Sequence, residues 1–406
     1  MTEATGICFL SYKREHIDEV TLIADALCDH GILPWQDIND LKAGVTEDTI
    51  KEVLQDTKTA CAVMLVTRDV EKSGMIRMVE APFIFKRVIN KDQFFVLPVA
   101  VGIDYGDLDE VLGPAKGVVR ADSTNVLKSD SPVDEAFATD IAREVLRNRL
   151  LEVHQELKPD EPVKIRIATF SPLDKEPGYA LNIDLCHRID HGRVLKDKKY
   201  EEIIKDAFLT IKNEIIAKTP GRKVELSGSF CLSVSTALGV VFSPLATCHT
   251  ALKPKDSDDL WHIKIPPEST AFKVTTTTQS VSGTDYALLV SVTKNAVYDF
   301  NQIAKDLPLR AIVNVAPEEF QSGKYSALNA AQAVDIAKRA VDGLFQAMDD
   351  YRASQKGTVH LFIAGPVGLA FLIGQQLNTL SSVQTYEYIN SEDCIYLPSL
   401  LLHPNK

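Results

Sequence analysis

The stretch ACAVMLV (60–66) is apolar at every position, so it has no face to offer to water. A strand that is half exposed alternates apolar and polar residues, whereas one covered by helices on both faces does not. Three further runs share the property: GICFL (6–10), GILPW (31–35) and FFVLPVAV (94–101). Helix-period segments lie among them, near 17–29, 46–56 and 74–88. Unbroken strands separated by helices predict an α/β unit with a parallel sheet. In such sheets ligands sit beyond the carboxyl ends of the strands.

The chain of 406 residues is too long for one ordinary core and fits two or three domains. Its 45% hydrophobic and 25% charged residues are those of a globular protein. A net charge of −12 argues against a surface for long nucleic acids, which needs clustered Lys and Arg, but leaves room for a basic pocket that takes a small anion. Seven scattered cysteines (8, 28, 61, 186, 231, 248 and 394), never spaced as CxxC, predict free thiols in a reducing compartment. The start, MTEATG, has no basic segment leading into an apolar one, and the most apolar later stretch, 361–374, is too short to span a bilayer. A cytoplasmic protein without membrane contact is expected.

The segments after the predicted strands are SYKRE (11–15), QDINDLKAG (36–44) and TRDVEKSG (67–74). A cleft built from them draws on Tyr12, Lys13, Arg14, Trp35 and Asp37. The following helix, MIRMVEAPFIFKR (75–87), places Ile76, Val79, Glu80 and Phe83 at i, i+3, i+4 and i+7, so a carboxylate lies in or beside the stripe that faces the core. Burying a charge is costly, so Glu80 calls for a reason. One alternative is an ordinary surface pair with Arg77. No glycine-rich phosphate loop of the G-x-G-x-x-G or G-x-x-x-x-G-K-[ST] kind is present.

FLSYKREH, GILPWQDINDLKAGVTEDTI and AVMLVTRDVEKSGMIRMVE, in this order, resemble the first box, the BB loop, and the third strand and following helix of the TIR domain. The resemblance covers roughly residues 5–150 and implies a flavodoxin-like parallel sheet and cleavage of the nicotinamide–ribose bond of NAD. It implies Glu80 as the catalytic residue; where the family often has Trp four residues earlier, this chain has Ile76. By the same resemblance Lys13 and Arg14 meet the NAD pyrophosphate or form a solvated turn, Trp35 stacks on a base or closes the core, and Asp37 and Asp40 line or cap the loop. The BB loop, with Asp40, Leu41 and Gly44, is the implied surface for oligomerisation. A fixed carboxylate suits the chemistry, because nicotinamide leaves as a neutral molecule and the developing charge is a ribosyl oxocarbenium ion.

Ser-Pro-x-Asp at 131–134 starts a helix running to about Leu157, and KPDEP (158–162) reads as a linker, giving expected domains 1–157 and 163–406. Beyond it the chain repeats itself. VELSGSFCLSVSTALG (224–239) and VHLFIAGPVGLAFLIG (359–374) have equal length. Each follows a helix-period stretch, near 199–218 and 331–353, and before that a strand, YALNIDL (179–185) and RAIVNVA (310–316). Two such copies imply a pseudo-symmetric pair of Rossmann-like units with a pocket between them. The turns SGSF (227–230) and AGPV (364–367) sit where strand hands over to helix, where small residues let backbone amides approach a phosphate.

This part resembles SAVED, two fused CARF-like units that sense cyclic oligonucleotides in bacterial antiphage CBASS systems. The likeness rests on HLFIAGPVGLAFLIGQQL, VQTYEY and LSGSFCLSVSTALG. Lys199, Ser227, Gly228, Ser229, Phe230, Gly365 and Pro366 are the expected pocket residues, chosen by turn position and charge. Together the two resemblances imply a TIR–SAVED effector. Its ligand is a cyclic oligonucleotide, foremost cyclic tri-adenylate or a related trinucleotide, which drives self-association into a filament and activates hydrolysis of NAD. NAD is then substrate, with no cofactor and no metal. A non-catalytic TIR adaptor and a TIR enzyme making a cyclised ADP-ribose messenger are the alternatives. HRIDH (187–191) has the His spacing of a zinc helix but carries Arg188 where the base Glu belongs, and no G-x-S-x-G elbow is present.

Overall fold

The computed structural model describes residues 2–36, 47–90, 93–113, 125–244, 249–255, 258–318, 328–350, 357–390 and 395–404. The chain divides into two compact units. The first comprises Met1–Arg166, Leu173–Asp184 and Asn213–Pro220, and the second Ile167–Pro172, Leu185–Lys212 and Gly221–Lys406.

In the first unit the strands are β1 (Ile7–Ser11), β2 (Pro34–Trp35), β3 (Thr59–Val66), β4 (Phe95–Val101) and β5 (Leu127–Ser129). The helices are α1 (Ile17–Asp29), α2 (Glu47–Gln55), α3 (Ala81–Asn90), α4 (Leu108–Leu112) and α5 (Glu135–Glu156). The sheet order is β2-β1-β3-β4-β5 with every neighbouring pair parallel. This is the flavodoxin-like doubly wound order. All eight residues of β3 are buried, which is why its sequence never alternates. On the sheet, α1 packs against α5, while α2 packs against α3. Asp134 caps α5 by accepting the Phe137 amide at 2.8 Å, which fixes the helix start.

The helix expected over 74–88 forms, with a π-helical turn inside it. Residues 74–75 are α-helical, Ile76–Glu80 makes the π turn, and α3 follows from Ala81 without a gap. Pro82 has no amide to give to the ladder, and the wider turn takes up the missing bond.

Strand β6 (Val163–Ala168) begins within the first unit and ends in the second, and β7 (Leu181–Asp184) belongs to the first. HRIDH does not form a helix. It leads into a hairpin of β8 (Ile189–Asp190) and β9 (Val194–Leu195), whose turn residues His191 and Gly192 have φ of 48° and 71°. The register pairs Asp190 with Val194, so the loop is His191, Gly192 and Arg193, and this hairpin turn removes the His spacing from any helix face.

The rest of the second unit runs α6 (Tyr200–Lys218), β10 (Val224–Ser229), α7 (Leu232–Val241), β11 (Thr250–Lys253), β12 (Phe272–Thr278), β13 (Asp285–Ser291), α8 (Val297–Ile303), β14 (Leu309–Pro317), α9 (Ala330–Asp350), β15 (Val359–Ala364), α10 (Val367–Gly374), β16 (Val383–Ile389) and β17 (Ile395–Leu402). Of these, α6 ends in the first unit. A six-stranded sheet has the order β12-β14-β13-β15-β16-β17, parallel in the middle and antiparallel at both edges.

The repeat seen in the sequence is repeated in space. Counting from Val224 and Val359, β10 matches β15, and the residues before the helices, Cys231 and Pro366, fall at the same step. The pairs β10–β11 and β15–β16 are both parallel. Ser229 O accepts from Thr169 N at 3.0 Å, and its counterpart Ala364 O accepts from Val292 N at 2.8 Å.

The two copies meet through α7 and α10. A Cβ on Gly239 would lie 2.2 Å from Phe371 O, and one on Gly374 would lie 2.3 Å from Thr236 O. Gly239 and Gly374 are counterparts, and so are Thr236 and Phe371, so the contact is its own pseudo-two-fold image. Ser235 Oγ adds a bond to Val367 O at 2.7 Å.

This crossing makes a direct test. Gly374→Ala forces backbone against backbone, where nothing flexible can yield, and overpacking of this kind costs about 1–3 kcal/mol. Calorimetry should show the melting temperature falling by several degrees, whereas Gly178→Ala, at an open position, should lose only what its φ of 120° exacts.

Candidate functional site

Two sites follow from the fold, one in each unit. In the first, the ends of β1 and β3 are tied together by Asp69. Its carboxylate accepts from Lys13 Nζ at 3.0 Å, stands 3.3 Å from His16 Nε2 and accepts from Thr67 Oγ1. His16 is further held by Glu19, 2.7 Å from Nδ1. Burial works to raise the Asp69 carboxyl, but the bonds from Thr67, Lys13 and His16 outweigh it and bring it down to about 2. Lys13 is raised, chiefly by its bond to Asp69 and then by Glu15. For His16, burial lowers the imidazole, yet Glu19 and Asp69 win and raise it.

Glu80 closes the π turn and is 6% exposed. Val79 and Ile76 beside it belong to the core cluster with Phe9, Met64 and Val66. The surface pair with Arg77 does not form, since Arg77 gives Nη1 to Glu71 O at 2.9 Å and Nη2 to Glu110 O at 3.4 Å. Trp35 is also buried and stacks on Phe9 at 5.0 Å with planes 14° apart, in the same core. Tyr12 is partly buried and Arg14 exposed. Asp37, Asp40, Leu41 and Gly44 lie outside the described residues.

The second site is a cavity of about 590 Å³ in the second unit. Both turns of the repeat line it: Gly228, Ser229 and Phe230 from one copy, Gly365 and Pro366 from the other. The packing of α7 on α10 therefore gathers both helix starts at one hollow. Ser227 and Lys199 do not line it. Ser227 is one step back along β10, and Lys199 is an exposed residue just before α6 whose Nζ lies 5.4 Å from the Tyr200 ring centre.

Gly228 cannot be another residue. Its φ is 131°, and a Cβ there would lie 2.0 Å from Ile167 O.

Sequence reading missed Phe170, Arg193 and Trp261, which complete the wall. Arg193 follows the β8–β9 turn and lies over the Phe170 ring, 5.4 Å from its centre. Trp261 is locked by two backbone bonds to Leu252 at 2.8 and 2.9 Å. Its ring covers Gly368, where a Cβ would come within 2.3 Å of Cε3. The Trp261 Nε1–H is buried without an acceptor among the described residues. A buried donor of this kind is costly unless something brings it an acceptor. A cavity with aromatic walls, Arg193, Lys255 and two helix starts suits a flat, anionic ligand.

Comparisons with known proteins bear on the second unit most. Residues 207–402 match the SAVED family, described as the SMODS-associated and fused to various effectors sensor domain. Among solved structures, the Acinetobacter baumannii Cap4 SAVED/CARF-domain containing receptor with the cyclic trinucleotide 3'3'3'-cAAA is similar, with a TM-score of 0.52 and 14% identity over 84% of this chain and 88% of that one. The same receptor with 2'3'3'-cAAA gives 0.50 and 14% over 80% and 84%. At this identity the likeness is one of fold. No curated protein matches the chain. Among the described residues no helix is long and apolar enough to cross a membrane, and the five described cysteines are free.

The Asp69 cluster carries a prediction with a definite sign. A carboxyl held below its unfolded value, about 3.9, stabilises the fold above that value and loses its effect as pH falls through about 2. Asp69→Asn should therefore melt lower than the wild type near neutrality, and differential scanning calorimetry should find the gap narrowing between about pH 4 and pH 2.

Proposed function

We propose that the protein is an antiphage effector whose second unit senses a cyclic oligonucleotide and whose first unit then hydrolyses NAD to nicotinamide and ADP-ribose. The observation that carries the sensor half is the cavity shared by the two turns of the repeat, within a segment that matches SAVED. The similar receptors hold cyclic trinucleotides, which favours a ligand of that class here.

The catalytic half rests on Glu80, a buried carboxylate on a π turn beyond the end of β3 in a sheet of flavodoxin-like order. Turns of this type are frequent at functional sites. A fixed anion favours the ribosyl oxocarbenium ion over the ground state, and the neutral leaving group asks for no general acid. A ligand activates only by binding two states unequally. Head-to-tail assembly supplies the second state, because the two halves of the sensor differ, and such contacts that do not close give filaments.

One experiment tests both halves. The full chain is incubated with NAD and a panel of cyclic nucleotides while free nicotinamide and light scattering are followed together. Nicotinamide should appear only with the cognate ligand, alongside a rise in scattering. Glu80→Gln should keep the scattering response and lower turnover on the order of 10²–10³. Full cleavage by Glu80→Gln, or by a species that stays monomeric, contradicts the reading.

A further inference from the structure

The two helix starts at the cavity are counterparts by position but not by charge. At α7, the Ser233 amide donates to Glu387 Oε1 at 2.6 Å. Glu387 comes from β16 and is fully buried. Its other oxygen stands 3.5 Å from Arg193 Nη1. At α10, the counterpart of Ser233 is Gly368, which lies beneath the Trp261 ring. No side chain among the described residues accepts from its amide, and the nearby Trp261 Nε1–H has no acceptor either.

A carboxylate on a helix amide does what a phosphate oxygen does at such a place: it satisfies the donor and meets the positive end of the helix dipole. We propose that Glu387 is an internal anion, occupying the first helix start as a ligand phosphate occupies the second, so that the pocket takes anionic groups at one end only. It also holds Arg193 back from the ligand, because the guanidinium that lines the cavity already faces a negative charge behind it. The pseudo-symmetric cavity thereby acquires a direction. This inference rests on the reading of the cavity as a sensor for an anionic ligand.

Burial works against the charge on Glu387 and pushes its carboxyl upward, while the Ser233 amide, Arg193 and the Cys231 thiol work for the charge. Tyr396 from β17 is raised chiefly by burial, with Asp299, Tyr388 and Glu387 adding to it.

The test is a double-mutant cycle by calorimetric titration of the full chain with 3'3'3'-cyclic tri-adenylate, on wild type, Glu387→Gln, Arg193→Gln and the double variant. Gln keeps the shape and can still accept from Ser233, so the fold is expected to survive. Removing the negative charge should tighten binding on the order of ten-fold. Arg193→Gln should cost little in the wild type and should cancel the gain in Glu387→Gln. The proposal is overturned if Glu387→Gln melts as the wild type does yet binds no tighter, or if Arg193→Gln costs the same in both backgrounds. Should Glu387→Gln fail to fold, a large loss from Arg193→Gln alone overturns it and a small one supports it. A wild type that does not bind the probe defeats the sensor reading itself, and the inference with it.

Discussion

The second unit depends on the approach of Gly239 to Phe371 O and of Gly374 to Thr236 O. Without side chains at those two points α7 and α10 can pack backbone to backbone, and the helix starts that follow β10 and β15 come to face one hollow. Close crossing of this sort is open only to glycine, since any Cβ would fall inside the partner's carbonyl. The site is thus a consequence of packing: the residues that form it need not be polar, and Phe230 and Pro366 are not. What the hollow offers is backbone amides and the Trp261 indole, with Arg193 facing Glu387 at 3.5 Å.

The same unit shows how a duplicated fold stops being symmetric. The strands, the residues before the helices and the Ser229 and Ala364 carbonyl bonds all keep their places in both copies. What differs is the ninth step after each repeat's first residue, Ser233 against Gly368, and what covers it: a carboxylate in one copy and an indole in the other. In the first unit the polar cluster is of another kind. Lys13, His16 and Thr67 converge on Asp69 and join the ends of two neighbouring strands, while Glu80 is placed apart on its π turn.

Much of this was legible in the sequence, and for identifiable reasons. The run ACAVMLV announced a strand covered on both faces, and β3 is buried at all eight positions. The equal lengths of the two repeats gave the register in which Gly239 matches Gly374, and both turns reached the cavity. At HRIDH, set aside as a zinc helix because of Arg188, the hairpin is set by the backbone conformation of His191 and Gly192, which a pattern of side chains does not reveal. Helix spacing held over 74–88 but could not show the π turn at Ile76–Glu80, because Pro82 alters the hydrogen bonding without altering the apolar stripe. Lys199 is charged but does not line the cavity, since charge alone does not bring a side chain to a pocket. Arg193, Trp261 and Glu387 were illegible for a simpler reason. Each comes from a separate hairpin, bridge or strand, and only the tertiary fold assembles them.

The central claim is that one cyclic oligonucleotide occupies the hollow shared by the two copies, oriented by their difference. A crystal structure of the protein with 3'3'3'-cyclic tri-adenylate tests it most directly. The account predicts ligand density between the Ser229 and Pro366 turns, with a phosphate oxygen at the first turn of α10, an acceptor on Trp261 Nε1 and Glu387 still on the Ser233 amide. Density at any other surface, or a phosphate that displaces Glu387 from α7, would contradict it.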